Sequence, residues 1–396
     1  MKTLAILGST GSIGCNTLDV VRRRQDCRVF ALVAGQNAAL LSEQIHEFRP
    51  HLAVVETERV RANLTDRLRE SGLRASDWPQ LEFGREARVA AASASEVSFV
   101  MSAIVGVAGL EATYEAVRRG KTVGLANKEV LVASGELVTK AAQASGTELI
   151  PVDSEHNGVH QGLRAGKRSE VARVILTASG GPFRHTPASE FDRVTPAQAL
   201  NHPTWKMGKR ITIDSATMMN KGFEVIEACW LFGLTPSEVG VVIHPQSSVH
   251  AMVEYTDGSV IAQVSATDMR MPIQYALTYP AREPGPVQPL DWAVARHWDF
   301  EPPDLEKFRL LKLAYQAQSA GGSATCTLNA ADEIAVGAFL DGQISFPGIA
   351  QIVEGTLAKV PVRHPKSIAE VLEIDEESRS AARALAARTD RPLVKV

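Results

Sequence analysis

The amino-acid sequence predicts an α/β protein in which a doubly wound parallel sheet comes first, a mixed α+β region follows, and a bundle of helices ends the chain. Short apolar strands alternate with helical segments between Thr3 and Leu125. A glycine-rich turn joins the first strand to the first helix, and four helical patterns with short connections fill the region from 305 to 388. Repeated βαβ units form parallel sheets, since each crossover helix returns the chain to the same edge of the sheet.

Length and charge exclude several classes of protein. The chain has 396 residues, of which 45% are hydrophobic and 22% charged, as in a globular protein of two or three domains. A net charge of −3 provides no basic surface for nucleic acid or for an anionic membrane. No apolar run approaches the roughly 20 residues of a membrane span. We therefore expect neither a nucleic-acid partner nor a membrane partner.

The cysteines indicate a reducing compartment. Cys15, Cys27, Cys229 and Cys326 are far apart and form no CxxC pair, which argues against a disulfide framework and against a thiolate zinc site. The first apolar strand is expected to begin at Thr3, close to Met1, which leaves no room for a signal or transit peptide. A cytoplasmic location is expected.

The first βα unit has the pattern of a dinucleotide-binding, Rossmann-like fold. A strand at Thr3–Leu7 runs into Gly-Ser-Thr-Gly-Ser-Ile-Gly at 8–14, and a helix is predicted at Cys15–Arg24. Glycines let the backbone approach a pyrophosphate, whose charge then faces the helix N-terminus. The alternative is a glycine turn that only tightens a βα unit.

The end of the second strand favours NADP over NAD. The strand at Val29–Val33 is followed by Gly35, Gln36 and Asn37, without the acidic residue that usually holds the ribose 2′-hydroxyl of NAD. Neutral donors at this point accept a 2′-phosphate more readily than a carboxylate does.

Further strands are predicted at 53–55, 99–105 and Thr122–Leu125. The last of these ends in Asn127, Lys128 and Glu129. Ligands of doubly wound sheets bind beyond the carboxyl ends of the strands, so these polar residues are predicted to contact nicotinamide and substrate. The alternative is a helix start with Asn127 as its N-cap.

Two carboxylates follow the apolar run that ends at Pro151. Asp153 and Glu155 are two residues apart, and in an extended chain they would point the same way, with Ser154 opposite. Two convergent carboxylates repel unless a proton or a cation lies between them, and oxygen ligands of this kind suit Mg²⁺ or Mn²⁺. The alternative is a solvated acidic turn.

Polar groups that suit a phosphate come next. A strand at Val171–Ala178 leads to Ser179 and two glycines, a turn in which amides and a hydroxyl can converge on an anion. Further on, Asn220 and Glu224 share one helix face with Lys221 beside them.

Between these segments, residues 201–210 form a predicted lid with Trp205 at its tip. Lys206, Lys209 and Arg210 would expose it to trypsin when it is open. The alternative is a fixed surface loop with Trp205 in the core.

The last part of the chain is predicted to be helical. The four helices are expected at Leu305–Ala320, from Asn329 to about Asp341, at Pro347–Lys359 and at Ser367–Arg388.

These stretches together resemble the 1-deoxy-D-xylulose 5-phosphate reductoisomerases. The matching segments occur in the family's order and span most of the chain: GSTGSIG (8–14), LANKE (125–129), PVDSEHN (151–157), SGGPFR (179–184), HPTWKMG (202–208), DSATMMNKGFEVIEA (214–228) and HPQSSVH (244–250).

The resemblance implies a role for each matching residue. Cofactor binding is implied for Thr10, Gly11, Ser12, Ile13, Gly35, Gln36, Asn37, Asn127, Glu129 and Gly208. Metal binding is implied for Asp153, Glu155 and Glu224, with Mn²⁺, Mg²⁺ or Co²⁺ as the ion. Substrate binding is implied for Lys128, Ser154, Glu155, Ser179, His202, Ser215, Asn220, Lys221 and Glu224. The catalytic set would be Lys128, Asp153, Glu155, His202 and Glu224.

One position departs from the family, since many members carry lysine where Gln36 stands. A lysine there would direct a positive charge at the 2′-phosphate of NADPH. The preference for NADPH over NADH is therefore expected to be smaller here.

The resemblance also implies the reaction and the assembly. A sugar-phosphate substrate, 1-deoxy-D-xylulose 5-phosphate, would rearrange at a divalent metal and then take hydride from NADPH, giving 2-C-methyl-D-erythritol 4-phosphate for isoprenoid synthesis. The enzyme would be a homodimer. Its domains would be a cofactor domain (1–150), a catalytic domain (151–285), a linker (286–305) and a helical domain (306–396).

Two other functions stay open at this point. One is a plain NADP dehydrogenase of the homoserine or semialdehyde kind, which needs no metal and would survive a chelator. The other is a nucleotide-sensing module without catalysis, which would have no need for three carboxylates.

Overall fold

A computed structural model describes residues 1–205 and 207–388 of the chain. The chain forms two compact units. The first comprises Met1–Val130, Val138–Asn157 and Asp268–Pro289, and the second comprises Leu131–Leu137, Gly158–Thr267 and the chain from Leu290 onward. Among the described residues, no helix combines the length and the apolar character that a membrane span requires.

The first unit contains a seven-stranded parallel sheet in the order β4-β3-β2-β1-β5-β6-β7. Its strands are β1 (Lys2–Leu7), β2 (Cys27–Val33), β3 (Leu52–Val55), β4 (Gln80–Phe83), β5 (Phe99–Ser102), β6 (Thr122–Leu125) and β7 (Leu149–Pro151). The strand order reverses direction between β1 and β5, which makes the end of β1 a switch point of the sheet. The predicted doubly wound sheet is confirmed.

Helices connect these strands. They are α1 (Ser12–Arg22), α2 (Ala38–Phe48), α3 (Glu58–Glu70), α4 (Gly84–Ser93), α5 (Leu110–Arg118), α6 (Lys128–Ser145) and α7 (Ser154–Gly162), the last following β7. Because helices cover both faces, the central strands are buried throughout, and Leu4, Ile6 and Phe99 are at most 1% exposed.

Two sequence expectations for this sheet were wrong. The strand expected at 99–105 ends at Ser102, because the carbonyl groups of Ile104 and Gly106 turn to accept bonds from the Asn127 side chain. The edge strand β4 was missed, because its sequence is short and half-exposed and lacks the apolar run of a central strand.

A helix from a distant part of the chain completes the first unit. Helix α11 (Arg270–Thr278) packs on α1 and buries Ile273 and Leu277. The Arg270 guanidinium donates to Asp19 of α1 at 3.0 Å. The sequence predicts no helix here, because the segment has no cap or period that separates it from the strands before it.

The second unit has a four-stranded mixed sheet in the order β11-β10-β8-β9. Its strands are β8 (Val171–Ala178), β9 (Val239–Ile243), β10 (Val249–Tyr255) and β11 (Val260–Val264). Strands β8 and β9 are parallel, whereas β10 is antiparallel to both of its neighbours. Between β8 and β9 the chain forms α8 (Pro196–Ala199), α9 (Lys209–Ala216) and α10 (Met219–Phe232).

The C-terminal helices also belong to the second unit. They are α12 (Arg309–Ala320), α13 (Ala324–Leu340), α14 (Phe346–Lys359) and α15 (Ile368–Ala386). Helix α13 packs against α14 and α15, with Phe339, Leu328 and Ile349 in the core. The four predicted helices are confirmed, but α13 begins before Asn329, because that side chain is buried inside the helix rather than capping it.

Candidate active site

The glycine turn after β1 lies at the switch point of the sheet. Gly8 has φ +90°, and a Cβ there would lie 2.5 Å from the Ala103 carbonyl oxygen. A Cβ at Gly14 would lie 2.3 Å from the Gly8 oxygen. Helix α1 starts from Gly11 without a side-chain cap, which leaves its first amides to an anion. Thr10, Gly11, Ser12 and Ile13 lie in this turn and are all at least partly exposed.

The end of β2 offers an open polar edge. Gly35 and Gln36 are exposed, and a Cβ added at Gly35 would meet nothing within 4 Å. Asn37 has a structural task, since its side-chain oxygen accepts from the Leu40 amide at 3.1 Å and caps α2.

Asn127 caps a helix as well. Its side-chain oxygen accepts from the Val130 amide at 3.3 Å, and its amide nitrogen donates to the Ile104 oxygen and, at 3.1 Å, to the Gly106 oxygen. The alternative prediction, that Asn127 is the N-cap of helix α6, is therefore confirmed. These bonds also fix the loop after β5, at the edge of the sheet where the glycine turn lies.

Lys128 and Asp153 form a buried ion pair at the same sheet edge. Strands β6 and β7 are neighbours in parallel register, so the residues that follow them come together. The Lys128 ammonium donates to Asp153, and the lysine is 8% exposed. Two distant sequence motifs thus meet at one place, as ligand sites of parallel sheets require.

The expectation of an extended chain at Asp153 and Glu155 was wrong. Helix α7 begins at Ser154, and the Asp153 carboxylate accepts from the Glu155 amide at 3.3 Å as a helix cap does. Glu155 accepts from the Ser154 hydroxyl at 2.8 Å. Both carboxylates are partly exposed, so their oxygens remain accessible to a ligand.

A cluster of Ser179, His202 and Ser215, here called the Ser–His–Ser cluster, lies in the second unit. The His202 Nε2 atom lies 3.1 Å from the Ser179 hydroxyl and 3.0 Å from the Ser215 hydroxyl. Two backbone glycines, Gly180 and Gly181, have positive φ, and a Cβ at Gly181 would lie 2.7 Å from the Ser215 carbonyl oxygen. The glycine pair is thus required for this close approach, which the sequence indicated only as a turn.

The tautomer of His202 follows from its partners. The amides of Thr204 and Trp205 both donate to Nδ1, at 3.1 and 2.8 Å. Nδ1 therefore carries a lone pair, and Nε2 carries the hydrogen that faces the two serine hydroxyls. Burial lowers the pKa of His202 below its usual range. The neutral imidazole and the two hydroxyls can therefore donate hydrogen bonds to an anion, although none of these three groups carries a charge.

The charged residues of α10 are almost fully buried. Glu224 is 1% exposed, accepts from the Asn220 amide group at 2.6 Å and forms an ion pair with Lys221. The predicted shared face of Asn220 and Glu224 is confirmed. Met218 precedes the helix with φ +64°. A residue in the left-handed conformation therefore lies between α9 and α10, and the axes of the two helices point in different directions.

In the predicted lid segment (201–210), the described residues 201–205, 207 and 208 lie in no helix or strand, and α9 begins at Lys209. Trp205 is partly exposed, neither in the core nor fully in solvent, and Gly208 is the exposed N-cap of α9. Lys206 lies outside the described residues. Arg210 is a poor trypsin site, contrary to expectation, because its guanidinium is held by Glu333 and Asn329.

Comparisons with known proteins cover nearly the whole chain. Three family models match: 1-deoxy-D-xylulose 5-phosphate reductoisomerase at 4–135, the C-terminal domain of that enzyme at 149–232, and the DXP reductoisomerase C-terminal domain at 264–381. The 1-deoxy-D-xylulose 5-phosphate reductoisomerase of Solibacter usitatus is 68% identical over 387 residues, covering 98% of each chain. That of Dechloromonas aromatica is 49% identical over 388 residues, covering 96% of each.

Solved structures agree. The reductoisomerase of Zymomonas mobilis in complex with NADPH has a TM-score of 0.90 and 44% identity, covering 97% of this chain and 99% of that one. A DOX-P reductoisomerase in complex with NADPH, fosmidomycin and magnesium has a TM-score of 0.92 and 39% identity, covering 98% and 100%. With relatives this similar over almost its full length, the chain belongs to the 1-deoxy-D-xylulose 5-phosphate reductoisomerase family.

Proposed function

We propose that this chain catalyses the metal-dependent and NADPH-dependent conversion of 1-deoxy-D-xylulose 5-phosphate to 2-C-methyl-D-erythritol 4-phosphate, a step of isoprenoid precursor synthesis. The observation that carries the proposal is the 68% identity, over 98% of both chains, to a reductoisomerase. Related structures contain NADPH, magnesium and fosmidomycin, so the same classes of ligand are assigned to this chain.

The cofactor residues are assigned as follows. The open turn after β1 binds the pyrophosphate on the first amides of α1, and the edge after β2 faces the adenosine ribose. NADPH supplies the hydride. The assigned residues are Thr10, Gly11, Ser12, Ile13, Gly35, Gln36, Asn37, Asn127, Glu129 and Gly208.

The metal ligands are Asp153, Glu155 and Glu224. The first two fit a hard cation, because both are partly exposed carboxylates and the Lys128 ammonium beside Asp153 balances one of the two negative charges. Glu224 fits as a buried carboxylate that Lys221 and Asn220 hold in one orientation. A divalent ion there stabilises negative charge that develops on substrate oxygens during the rearrangement, and magnesium or manganese serves.

The remaining substrate residues hold the two ends of the substrate. The Ser–His–Ser cluster, with Asn220 and Lys221, binds the phosphate, so that binding energy at this end orients the reacting carbons. Lys128 lies beside Asp153 and stabilises negative charge at the reacting end of the substrate. The Ser154 hydroxyl donates to the Glu155 carboxylate.

We assign a homodimer and a reducing, cytoplasmic compartment. Strand β11 is an edge strand with Val260 46% and Ile261 41% exposed, and an open apolar edge of this kind is suited to pairing with a second copy. All four cysteines are free thiols.

The proposed activity is tested by removing the metal. NADPH oxidation by the purified protein with 1-deoxy-D-xylulose 5-phosphate should stop after EDTA treatment and return on addition of Mg²⁺ or Mn²⁺. A rate that EDTA leaves unchanged would instead identify a plain dehydrogenase.

Position 36 should control the cofactor preference. A Gln36→Lys variant should lower the KM for NADPH by about tenfold, since one charge-assisted hydrogen bond to the 2′-phosphate contributes about 1.5–3 kcal/mol. The KM for NADH should stay nearly unchanged, and steady-state kinetics with both cofactors measure the two values.

A Gln36→Met variant is the matched control for side-chain length without hydrogen bonding. It should raise the KM for NADPH alone. Equal changes for NADPH and NADH would mean that position 36 does not face the 2′-phosphate.

The segment 201–210 should behave as a lid. Trypsin should cut the free enzyme first at Lys206 and Lys209, and NADPH together with metal and fosmidomycin should protect these bonds more than NADPH alone. Trp205→Ala should remove much of the protection and reduce kcat/KM by about tenfold, which corresponds to about 1.4 kcal/mol of lost contact.

Trp292→Ala is the control, because Trp292 is 68% exposed and lies outside this segment. That variant should keep both protection and kcat/KM. Cleavage that is equally fast with and without ligands would show a fixed loop.

A further inference from the structure

Arg210 is the last residue of the predicted lid segment (201–210), and its side chain is held inside the protein. It occupies the second position of α9, two residues after the exposed Gly208, and its side chain is 17% exposed. The guanidinium donates to the Asn329 side-chain oxygen at 2.8 Å and to the Glu333 carboxylate at 3.0 Å. Its guanidinium carbon lies 5.9 Å from the centre of the Phe223 ring.

The partners of Arg210 lie on one face of α13. Asn329 and Glu333 are four residues apart in that helix, so their side chains are neighbours on its surface, separated by one helical turn. Asp332, on the same side, is fully buried with a carboxylate oxygen 3.8 Å from Arg210. Arg210 therefore ties the start of α9 to the helices at the C-terminal end of the chain.

Glu333 is shared with a second guanidinium. Arg379 of α15 donates to the same Glu333 carboxylate at 2.8 Å and to Asp375 at 2.5 Å. Burial alone would raise the pKa of Glu333, but its hydrogen bond to Arg379 and the charges of Arg379 and Arg210 outweigh burial and lower it. Two arginines thus hold one carboxylate, one from α9 and the other from α15.

The position of helix α9 depends on the contacts that Arg210 makes with α13. The helix has only eight residues, and no side chain caps it at Gly208. A helix this short is marginal on its own, so tertiary contacts must set its axis. Ser215 lies near its other end and directs its hydroxyl to His202 at 3.0 Å. A rotation or shift of α9 would therefore move one member of the Ser–His–Ser cluster relative to the other two.

We propose that Arg210 is a positioning residue for phosphate binding: by fixing α9 on α13 it holds Ser215 in register with Ser179 and His202. The proposal rests on the proposed function only in taking the Ser–His–Ser cluster as the phosphate site. Arg210 itself contacts Asn329 and Glu333, so it acts through the helix and not on the substrate. No ligand-binding or positioning task had been assigned to this arginine from the sequence.

The test compares two arginines that share Glu333. In the full-length holoenzyme, Arg210→Met should raise the KM for 1-deoxy-D-xylulose 5-phosphate by about tenfold and change kcat by less than about threefold, because only binding at the phosphate end is loosened. The dissociation constant of NADPH should stay unchanged. Arg210→Lys should recover part of the loss, since an ammonium can reach Glu333 but cannot bond Asn329 at the same time.

Arg379→Met is the control for general loss of stability. It removes the other guanidinium from Glu333, has no bond to α9, and should lower the melting temperature while leaving the KM within about twofold of the parent value. Should Arg210→Met fail to fold, the comparison is made between Arg210→Lys and Arg379→Lys, with the same expected direction.

Inorganic phosphate provides a readout that is independent of turnover. Its dissociation constant, measured by calorimetry on the metal-loaded protein, should rise about tenfold in Arg210→Met and not in Arg379→Met. If the two variants weaken phosphate and substrate equally, or if Arg210→Met impairs kcat and NADPH binding as much as KM, the role is structural and the proposal fails. Absence of phosphate binding in the parent protein also overturns it, whereas absence of turnover with intact phosphate binding refutes only the proposed function.

Discussion

Glu224→Gln should bind NADPH as the parent does but lose about a hundredfold or more in kcat. Glu224 is 1% exposed and bonded to Asn220 and Lys221, so an amide of the same shape fits the space with one negative charge fewer. A metal ligand contributes several kcal/mol to stabilising charge in the transition state, and each 1.4 kcal/mol corresponds to about tenfold in rate. Steady-state kinetics at saturating metal and a fluorescence titration of NADPH measure the two quantities.

Glu254→Gln is the control for this substitution. Glu254 lies on β10 and forms a partly exposed ion pair with Arg173 at 2.8 Å, which contributes little to stability or to the site. It should retain the parent kcat. A Glu224→Gln enzyme that turns over near the parent rate without extra metal would show that Glu224 is not a ligand.

Lys128→Met should cause a loss of similar size, about a hundredfold in kcat, because it removes a buried cation beside Asp153. The KM for substrate should change far less, since other residues are proposed to bind the phosphate. The stopped-flow rate of NADPH oxidation, measured with saturating substrate and metal, gives the effect on chemistry.

Lys121→Met is the matched control, since Lys121 precedes strand β6 whereas Lys128 follows it. The Lys121 ammonium donates to the backbone oxygens of Ala94, at 2.8 Å, and Ser95. It should keep full turnover. Equal losses in the two lysine variants would indicate a general effect on the sheet.

Much of the fold could be predicted because buried parallel strands are continuous apolar runs. Strands β1, β3 and β6 begin and end within one residue of the predicted positions, and the C-terminal helices follow their periodicity. Edge strand β4 and helix α11 could not be found this way. β4 is half-exposed, and α11 joins the first unit through contacts with α1, a partner more than 200 residues away in sequence.

The local conformation at the candidate metal residues differs from the one that the sequence predicted. Asp153 and Glu155 are partly exposed, but they lie at the start of a helix and not in an extended chain, because Asp153 caps α7. The pairing of Lys128 with Asp153 follows from the neighbouring positions of β6 and β7, which no local pattern encodes. The contacts of Arg210 could likewise not be predicted from the sequence, since its partners lie more than 100 residues further along the chain.

The identity of the product decides whether the enzyme rearranges and reduces its substrate or only reduces it. Rearrangement followed by reduction places the methyl group on a tertiary alcohol carbon that carries no hydrogen, whereas simple reduction of the ketone leaves the methyl next to a CH–OH. Proton NMR of the product formed from 1-deoxy-D-xylulose 5-phosphate, NADPH and Mg²⁺ therefore separates the two reactions. We expect a methyl singlet, from 2-C-methyl-D-erythritol 4-phosphate, that appears in step with NADPH consumption. A methyl doublet from an unbranched deoxypentitol phosphate would contradict it.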